Sequence, residues 1–289
     1  MKQNNIITLT TDFGLSDPFV GIMKGVMFGI NPSIKFIDIS HLIEPQNIMQ
    51  AYYTLKYSYK YFPSGTIHMA VVDPGVGSER RPILIESKDY FFIGPDNGIF
   101  SFIFENEPSA NVIELTEKKF FLPSLSQTFH GRDIFASVAG WLSSDVKPYE
   151  FGIPINNPVI LKTPEPDMGK EKISGEVIHI DRFGNLITNI SETQFHSFVS
   201  ERNGKAKIKI KNFTIPSLCK SYSEANRLKP SSIFNSWGLL EIFIKNGDAS
   251  KKLKTKKGNR ESCARRTGCP FKISQVNPCR SLRSCGHAA

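Results

Sequence analysis

Residues 6–30 read IITLTTDFGLSDPFVGIMKGVMFGI, and their pattern indicates the class of fold. Its first residues, Ile6–Leu9, are rich in apolar and β-branched side chains and predict a buried strand, and the polar residues that follow predict a loop. Asp17 and Pro18 then supply the N-cap and the first-turn proline of a helix that continues to Ile30. A strand, a loop and a helix in this order open a βαβ unit, which predicts an α/β domain with a mostly parallel sheet.

Strand and helix patterns keep alternating to about residue 145. The apolar spacing predicts four more strands and two more helices: the strands Lys35–Ile39, Thr66–Val72, Pro82–Ser87 and Tyr90–Ile93, and the helices Ile48–Phe62 and Arg132–Ser143. Ligands of open α/β sheets collect at the carboxyl ends of the strands. Asp12 and Asp73 each follow a predicted strand, so both are candidates for a site at that edge.

The chain changes character after residue 150. A run of prolines indicates a linker, and they are Pro154, Pro158, Pro164 and Pro166. Four short strand patterns follow and predict a small all-β domain: Gly175–Ile180, Leu186–Ile190, Ala206–Ile210 and Leu239–Ile244. We therefore predict an N-terminal α/β domain over residues 1–160, a linker over 161–172, a C-terminal β domain over 173–257 and a tail over 258–289.

The tail differs from the rest of the chain in charge and patterning. Residues 251–289 hold 11 of the 36 Lys and Arg residues but one of the 27 acids, Glu261, which leaves 25 basic and 26 acidic residues before them. The net charge of +9 therefore comes from the tail, and the body predicts no specific nucleic-acid surface. Apolar periodicity ends at about Gly258, which predicts disorder or a segment foreign to the native protein.

Cysteine usage and hydropathy favour a cytoplasmic protein. Cys219 is the one cysteine in the first 250 residues, and the four in the tail lack the close Cys-x-x-Cys spacing of zinc modules. The N-terminal MKQNNIITLT lacks the apolar core of a secretory leader, and no run of about 18 apolar residues occurs. We expect no membrane segment and no zinc site.

Four polar clusters interrupt the apolar patterns: TTDFGLSD at 10–17, DPGVGSERR at 73–81, PDNG at 95–98 and TFHGRD at 128–133. Asp12 fits either a turn former or a carboxylate that accepts hydrogen bonds from a ribose diol. A Pro- and Gly-rich turn returns Arg80 toward Asp73, as a structural salt bridge or as part of a site. His130 fits a helix cap or a packed polar group as well as a catalytic group.

These clusters, with two later ones, resemble the S-adenosylmethionine hydroxide adenosyltransferase family, the hydrolytic relatives of fluorinating and chlorinating enzymes. The six segments, in the family's order, are TLTTDFGLSDPFVGIMKG, VVDPGVGSERRPI, IGPDNG, TFHGRDIF, DRFGNLITNI and NSWGLLEI. The resemblance implies an N-terminal α/β domain, a smaller C-terminal β-barrel, and a homotrimer with active sites at subunit interfaces. It also implies that S-adenosylmethionine and water react to give adenosine and methionine, without a metal or other cofactor.

The resemblance also implies roles for particular residues. Asp73, Arg80 and His130 match the set that binds and activates the attacking water, and Asp12 matches the acid on the ribose hydroxyls. The other substrate-binding positions lie in DRFGN and NSWG: Phe183 and Asn185 for adenine, Asp181 and Ser236 for the methionine end, and Trp237 without an assigned part of the substrate. Trp237 stands where the halogenating relatives have a different residue.

Two other functions fit the same residues. Halide transfer needs a small dry pocket with neutral donors, whereas Arg80 and His130 provide a polar pair suited to water, so hydrolysis is favoured. A non-catalytic regulator that binds S-adenosylmethionine or a nucleoside would carry the same binding residues. From about Gly258 the tail replaces the sequence of the family's last barrel strand, so we also expect that strand to be missing or replaced.

Overall fold

A computed structural model describes residues 4–200, 206–215 and 218–256 and the backbone of 271–275. The chain divides into two compact units, Met1–Thr163 and Pro164–Ala289. Each unit has its own apolar core of buried side chains. The two units are described in turn.

The described part of the first unit contains seven strands and four α-helices. In chain order they are β1 (Ile6–Thr11), α1 (Phe19–Ile30), β2 (Lys35–Ser40), α2 (Ile48–Lys56), β3 (Ile67–Val71), β4 (Pro82–Glu86), β5 (Phe91–Pro95), α3 (Ser101–Asn106), β6 (Asn111–Leu115), α4 (Ser137–Ser143) and β7 (Gly152–Ile155). A π-helical turn, Gly131–Ala136, leads directly into α4. The helix predicted to begin at Arg132 therefore starts with this wider turn.

The seven strands form one sheet in the order β2-β1-β3-β5-β4-β6-β7. The pairs β1–β2, β1–β3 and β3–β5 are parallel, whereas β4–β5, β4–β6 and β6–β7 are antiparallel. Five of the seven strands thus point the same way, which confirms the predicted mostly parallel sheet. Pro154, interpreted as a linker residue, lies in β7 instead. An edge strand tolerates proline because one side of it needs no ladder hydrogen bond.

Helix α1 packs on one face of the sheet. Its buried residues Val20, Met23 and Met27 recur at helical spacing and join α4, β1 and β3 in the main core of the unit. Side chains alternate between the two faces of a strand, so Ile67, Met69 and Val71 of β3 point into this core and the residues between them point to the opposite face. His68 is one of them, and its ring stacks on Phe92 with centroids 5.1 Å apart.

The described part of the second unit is built from short strands and two helices. They are β8 (Asp167–Met168), β9 (Lys172–Gly175), β10 (Val177–Ile180), β11 (Leu186–Ser191), α5 (Glu192–Ser200), β12 (Ala206–Ile210), β13 (Phe213–Ile215), β14 (Pro230–Phe234), β15 (Leu239–Ile244), α6 (Ala249–Lys252) and β16 (Phe271–Gln275). They form two antiparallel sheets, β10-β11-β15-β14 and β13-β12-β16-β9-β8. No helix within the described ranges is long and apolar enough to cross a membrane.

Two predictions for the second unit need correction. The all-β prediction is wrong for Glu192–Ser200, which forms a helix because Phe195 and Phe198, three residues apart, bury one face in the core. The tail was predicted to be disordered or foreign to the native protein, and the first alternative does not hold for Phe271–Gln275, whose backbone pairs with β12 on one side and β9 on the other. A central strand satisfies its N–H and C=O groups on both sides. The other tail residues from 257 onward lie outside the described residues.

His68 is a buried titratable group in the first unit. Its side chain has no exposed surface, and its Nδ1 lies 2.8 Å from Thr8 Oγ1. Burial lowers the pKa of His68 to about 3, because a charged imidazolium would lose its hydration there. The folded protein therefore keeps this ring neutral.

We expect His68 to make the free energy of unfolding fall at mildly acidic pH. The unfolded chain protonates the ring below a pKa of about 6.5, whereas the folded chain does not until about 3. The contribution of the neutral His68 ring to the free energy of unfolding is complete above the unfolded-state pKa. It is lost at about 1.4 kcal/mol per pH unit as the pH falls from that pKa toward the folded-state pKa. From about pH 7.5 to about pH 5, the wild type should lose about 2 kcal/mol more than His68→Gln in urea unfolding. Exposed His196→Gln is the matched control, and equal losses in wild type and His68→Gln would contradict the account.

Candidate active site

Asp73 and Arg80 form a buried ion pair at the carboxyl end of β3. Arg80 Nε donates to both Asp73 oxygens at 3.0 and 2.9 Å, and Nη2 donates to Oδ2 at 2.5 Å. The two side chains are 9% and 6% exposed. Removing one partner of such a pair leaves a buried charge unpaired, which costs about 3–5 kcal/mol. The carboxylate therefore fixes the guanidinium in one orientation.

The turn between Asp73 and Arg80 packs tightly on the chain before His130. Gly77 has φ +78°, and a Cβ there would lie 2.5 Å from the carbonyl oxygen of Gln127. Glycine alone avoids both the strained φ and this collision. The close approach holds the Arg80 loop against the segment that carries His130.

His130 lies at the start of the π-helical turn and contacts the ion pair. Its Nδ1 is 2.9 Å from Arg80 Nη2, and the Phe135 ring centroid lies 5.2 Å from the guanidinium carbon. A guanidinium donates and never accepts, so we assign His130 Nδ1 as the acceptor and place the ring hydrogen on Nε2. The remaining nitrogen of His130 is therefore a hydrogen-bond donor.

The surroundings of His130 favour its neutral form. Burial lowers the pKa of His130, the charge of Arg80 lowers it further, and Asp73 and Asp133 oppose them in part. Asp133 is fully buried and accepts from the backbone N–H of Ser126 at 2.6 Å, which anchors the π-helical turn. The ring is thus held neutral and in place.

Asp12 follows β1 on a neighbouring loop. Its Oδ2 accepts the backbone N–H of Gln46 at 2.8 Å. The next residue, Phe13, meets Phe129 edge to face with ring centroids 5.9 Å apart. This aromatic contact brings the Asp12 loop beside the segment that holds His130.

The PDNG cluster has a structural role. Asp96 accepts from Arg81 Nε at 2.9 Å and from the backbone N–H of Val159 at 2.8 Å. Asn97 Nδ2 donates to the carbonyl of Val72 at 2.9 Å. The cluster therefore ties the end of β5 to the end of β3 and to the chain that leaves this unit.

In the second unit, Asp181 organises the turn between β10 and β11. Its Oδ1 accepts the backbone N–H groups of Phe183 and Asn185, and its Oδ2 accepts Asn185 Nδ2, each at 2.9 Å. The Phe183 side chain is 76% exposed, whereas Asn185 is buried. The side chain of Asp181 is therefore used to hold the turn together, and the turn presents the Phe183 ring outward.

Ser236 and Trp237 lie in the turn between β14 and β15. Asn235 Oδ1 accepts the backbone N–H groups of Trp237 at 3.0 Å and Leu239 at 3.2 Å. Ser236 is exposed, and the Trp237 ring lies 5.4 Å from the ring of His179 in β10. The NSWG turn is therefore connected to the strand that enters the Asp181 turn.

Glu241 supports the NSWG turn, although it is not among the predicted site residues. Glu241 is 2% exposed and accepts from Tyr222 OH at 2.9 Å and Asn235 Nδ2 at 3.2 Å. Burial raises the pKa of Glu241, and the nearby charge of Asp181 adds to the rise. A lone acid inside the apolar run LLEIFI was the available signal, since buried acids need partners.

The fold and these contacts define an α/β protein with a partly buried arginine–carboxylate–histidine cluster at the carboxyl edge of its sheet and a second, strand-rich unit. Family comparison identifies it. The N-terminal domain of the SAM hydroxide adenosyltransferases matches residues 7–152, and their C-terminal domain matches residues 175–261. This chain belongs to that family, which confirms the resemblance of its six motifs.

Several known proteins are similar to this chain. A protein of Methanocaldococcus jannaschii named (R)-S-adenosyl-L-methionine hydrolase is 39% identical over 262 residues, covering 86% of this chain and 92% of its own. A protein of the same name from Thermus thermophilus is 32% identical, and the match covers 86% of this chain and 95% of that protein. The crystal structure of an uncharacterized conserved protein from Thermotoga maritima has a TM-score of 0.83 at 33% identity, covering 93% of this chain and all of that one. Three fluorinases match at 22% to 24% identity.

We expect His130 to titrate below the ordinary histidine pKa of about 6.5 and to carry its hydrogen on Nε2 when neutral. Because the pKa is lowered, the neutral ring persists to more acidic pH than a free imidazole. Nitrogen-15 NMR of the ring measures both properties. In Arg80→Gln the pKa of His130 should rise, because the Arg80 charge that lowers it is gone. Replacement of an exposed arginine, Arg227→Gln, should leave the pKa of His130 unchanged. A pKa above that of a free imidazole in the wild type, or a hydrogen on Nδ1, would contradict the assignment.

Proposed function

We propose that this chain hydrolyses S-adenosyl-L-methionine to adenosine and L-methionine by attack of water on ribose C5′. The observation that carries the proposal is the arrangement of Arg80, held by Asp73 and hydrogen-bonded to His130. The names of the relatives at 39% and 32% identity support the same substrate and reaction. Membership of the family supports it further.

The reaction makes few demands on the protein. The water oxygen forms a bond to C5′ as the C5′–S bond breaks, the electron pair goes to sulfur, and the water gives up one proton. The sulfonium leaves as a neutral thioether, so the leaving group requires no general acid. Catalysis therefore reduces to holding and polarising one water molecule in line with the C5′–S bond.

Arg80, Asp73 and His130 suit that task. Arg80 is permanently charged and stabilises developing hydroxide character, while Asp73 keeps its planar fork in place. His130 Nδ1 is engaged by Arg80, so its Nε2–H donates to the water and orients it. The geometry favours this orienting role over removal of the proton by His130, and the proton passes to solvent.

The other sequence-predicted residues bind the substrate in this proposal. Asp12 accepts hydrogen bonds from the ribose hydroxyls. The exposed ring of Phe183 stacks on adenine beside Asn185. Asp181 and Ser236 bind the methionine end, and Trp237 is a further substrate-binding residue. No metal or cofactor takes part in the proposed reaction.

We also propose a cytoplasmic homotrimer with active sites at its subunit interfaces and a C-terminal unit that forms the family's β-barrel. Association of subunits is supported by large apolar side chains exposed on α1 and β2, among them Phe19, Ile22, Phe28 and Ile37 at 39% to 46% exposure, and the number three comes from the family resemblance. Exposed apolar groups of this size commonly mark contact surfaces. The first 250 residues contain a single thiol, Cys219, and this low cysteine content supports a cytoplasmic location.

We expect adenosine to be the sole nucleoside product when purified protein is incubated with S-adenosyl-L-methionine in buffer that contains chloride and fluoride. Arg80→Gln should lower kcat about 10²–10³-fold, because it removes a preorganised charged donor, while adenosine still binds. Arg227→Gln is the matched control and should retain full activity. Chromatography of the products and calorimetry of adenosine binding measure the two quantities.

The same experiment separates the alternatives. Formation of a 5′-halo nucleoside would contradict hydrolysis and support halide transfer. Tight binding of S-adenosyl-L-methionine without turnover would contradict a catalytic function and support a non-catalytic binding protein. Equal losses of kcat and binding in Arg80→Gln would contradict the role of Arg80 in handling water.

A further inference from the structure

The loop that carries Asp12 is fixed at three points by the segment after β2. Thr11 Oγ1 lies 2.9 Å from His41 Nδ1, and the backbone N–H of Gly14 donates to the His41 carbonyl at 2.8 Å. The third point is the bond from the Gln46 backbone to Asp12 itself. His41 thus provides two of the three attachments, one through its side chain and one through its backbone.

The contact between Thr11 and His41 is internal and leaves little freedom. Thr11 has no exposed surface and His41 is 4% exposed. Thr11 Oγ1 also accepts the backbone N–H of Phe13 at 3.2 Å, so the hydroxyl bridges the two residues on either side of Asp12. With that lone pair occupied, the hydroxyl hydrogen is free to donate to His41 Nδ1.

The other side of the His41 ring faces a charged pair. Its Nε2 lies 3.1 Å from Asp38 Oδ1, although the N–H does not point squarely at that oxygen, and Lys24 Nζ lies 2.7 Å from Asp38 Oδ2. The carboxylate attracts a hydrogen on Nε2 and so favours the tautomer in which Nδ1 accepts from Thr11. Lys24 belongs to α1, which ties the ring to the helix that follows the Asp12 loop.

We propose that His41 is a positioning residue for Asp12, which holds the carboxylate in the orientation that accepts the two ribose hydroxyls. The proposal rests on the ribose-binding role of Asp12 in the proposed function. His41 itself contacts no substrate, and its effect passes through Thr11 and the backbone of residues 12–14. Selectivity for a ribose diol over a deoxy sugar therefore depends on His41.

The test compares the dissociation constants of adenosine and 2′,3′-dideoxyadenosine, measured by calorimetry on the full chain. Asp12→Asn should lower the wild-type preference for adenosine about tenfold or more, because bonds from hydroxyls to a charged acceptor are lost. His41→Leu should lower the preference toward the same value. His41→Asn should keep most of it, since the amide oxygen can take the place of Nδ1.

A merely structural role would weaken both ligands equally and leave their ratio unchanged. In the Asp12→Asn background, His41→Leu should therefore change the ratio no further. Thr11→Val supplies a second variant with the same expected loss, should His41→Leu fold poorly, and exposed His196→Leu is the control that should keep the wild-type ratio.

Two failures are distinguishable. If Asp12→Asn abolishes the preference while His41→Leu and Thr11→Val retain it, the positioning role of His41 is overturned and the role of Asp12 stands. If Asp12→Asn leaves the preference unchanged, the ribose-binding role in the proposed function fails, and the inference fails with it.

Discussion

The contact on which the proposed chemistry depends is the buried ion pair of Asp73 and Arg80. Two charges removed from water are stable there because each satisfies the other through a fixed, planar set of hydrogen bonds. The fixed guanidinium then sets the tautomer of the neutral His130 ring. Because a guanidinium can only donate, Nδ1 must be the acceptor of their hydrogen bond. One electrostatic contact thus sets the position of a charge and the tautomer of its neighbour.

The scaffold supports this cluster by positioning rather than by added charge. The end of β3 places Asp73, Gly77 permits the close approach of two loops, and buried Asp133 anchors the turn that begins after His130. A single charged donor contributes about 3–4 kcal/mol to lowering a barrier, whereas alignment of two reactants contributes about 7–11 kcal/mol. For a reaction with a neutral leaving group, accurate placement of one water is the larger effect.

The sequence predicted the first unit well because its local signals agree with one another. The strand, loop and helix of residues 6–30 form as expected, except that the helix begins at Phe19, with Pro18 rather than Asp17 as its N-cap and no side-chain cap. Asp73, Arg80 and His130 converge although 50 residues separate the last two. Helix α3 and the short strands β6, β8, β9, β13 and β14 were not predicted. Strands β7 and β16 were missed as well, because proline and irregular composition obscure a strand whose place is set by partners distant in sequence. Glu241 escaped because its hydrogen bonds come from a separate loop and a separate turn.

In the proposed reaction, water placed by Arg80 and His130 attacks C5′ of S-adenosyl-L-methionine. Turnover in oxygen-18 water, followed by mass spectrometry of both products, identifies the attacking oxygen. We expect one heavy oxygen in the 5′-hydroxyl of adenosine and none in methionine. Unlabelled adenosine would rule out attack by water, because the new C5′–O bond would then come from another oxygen donor.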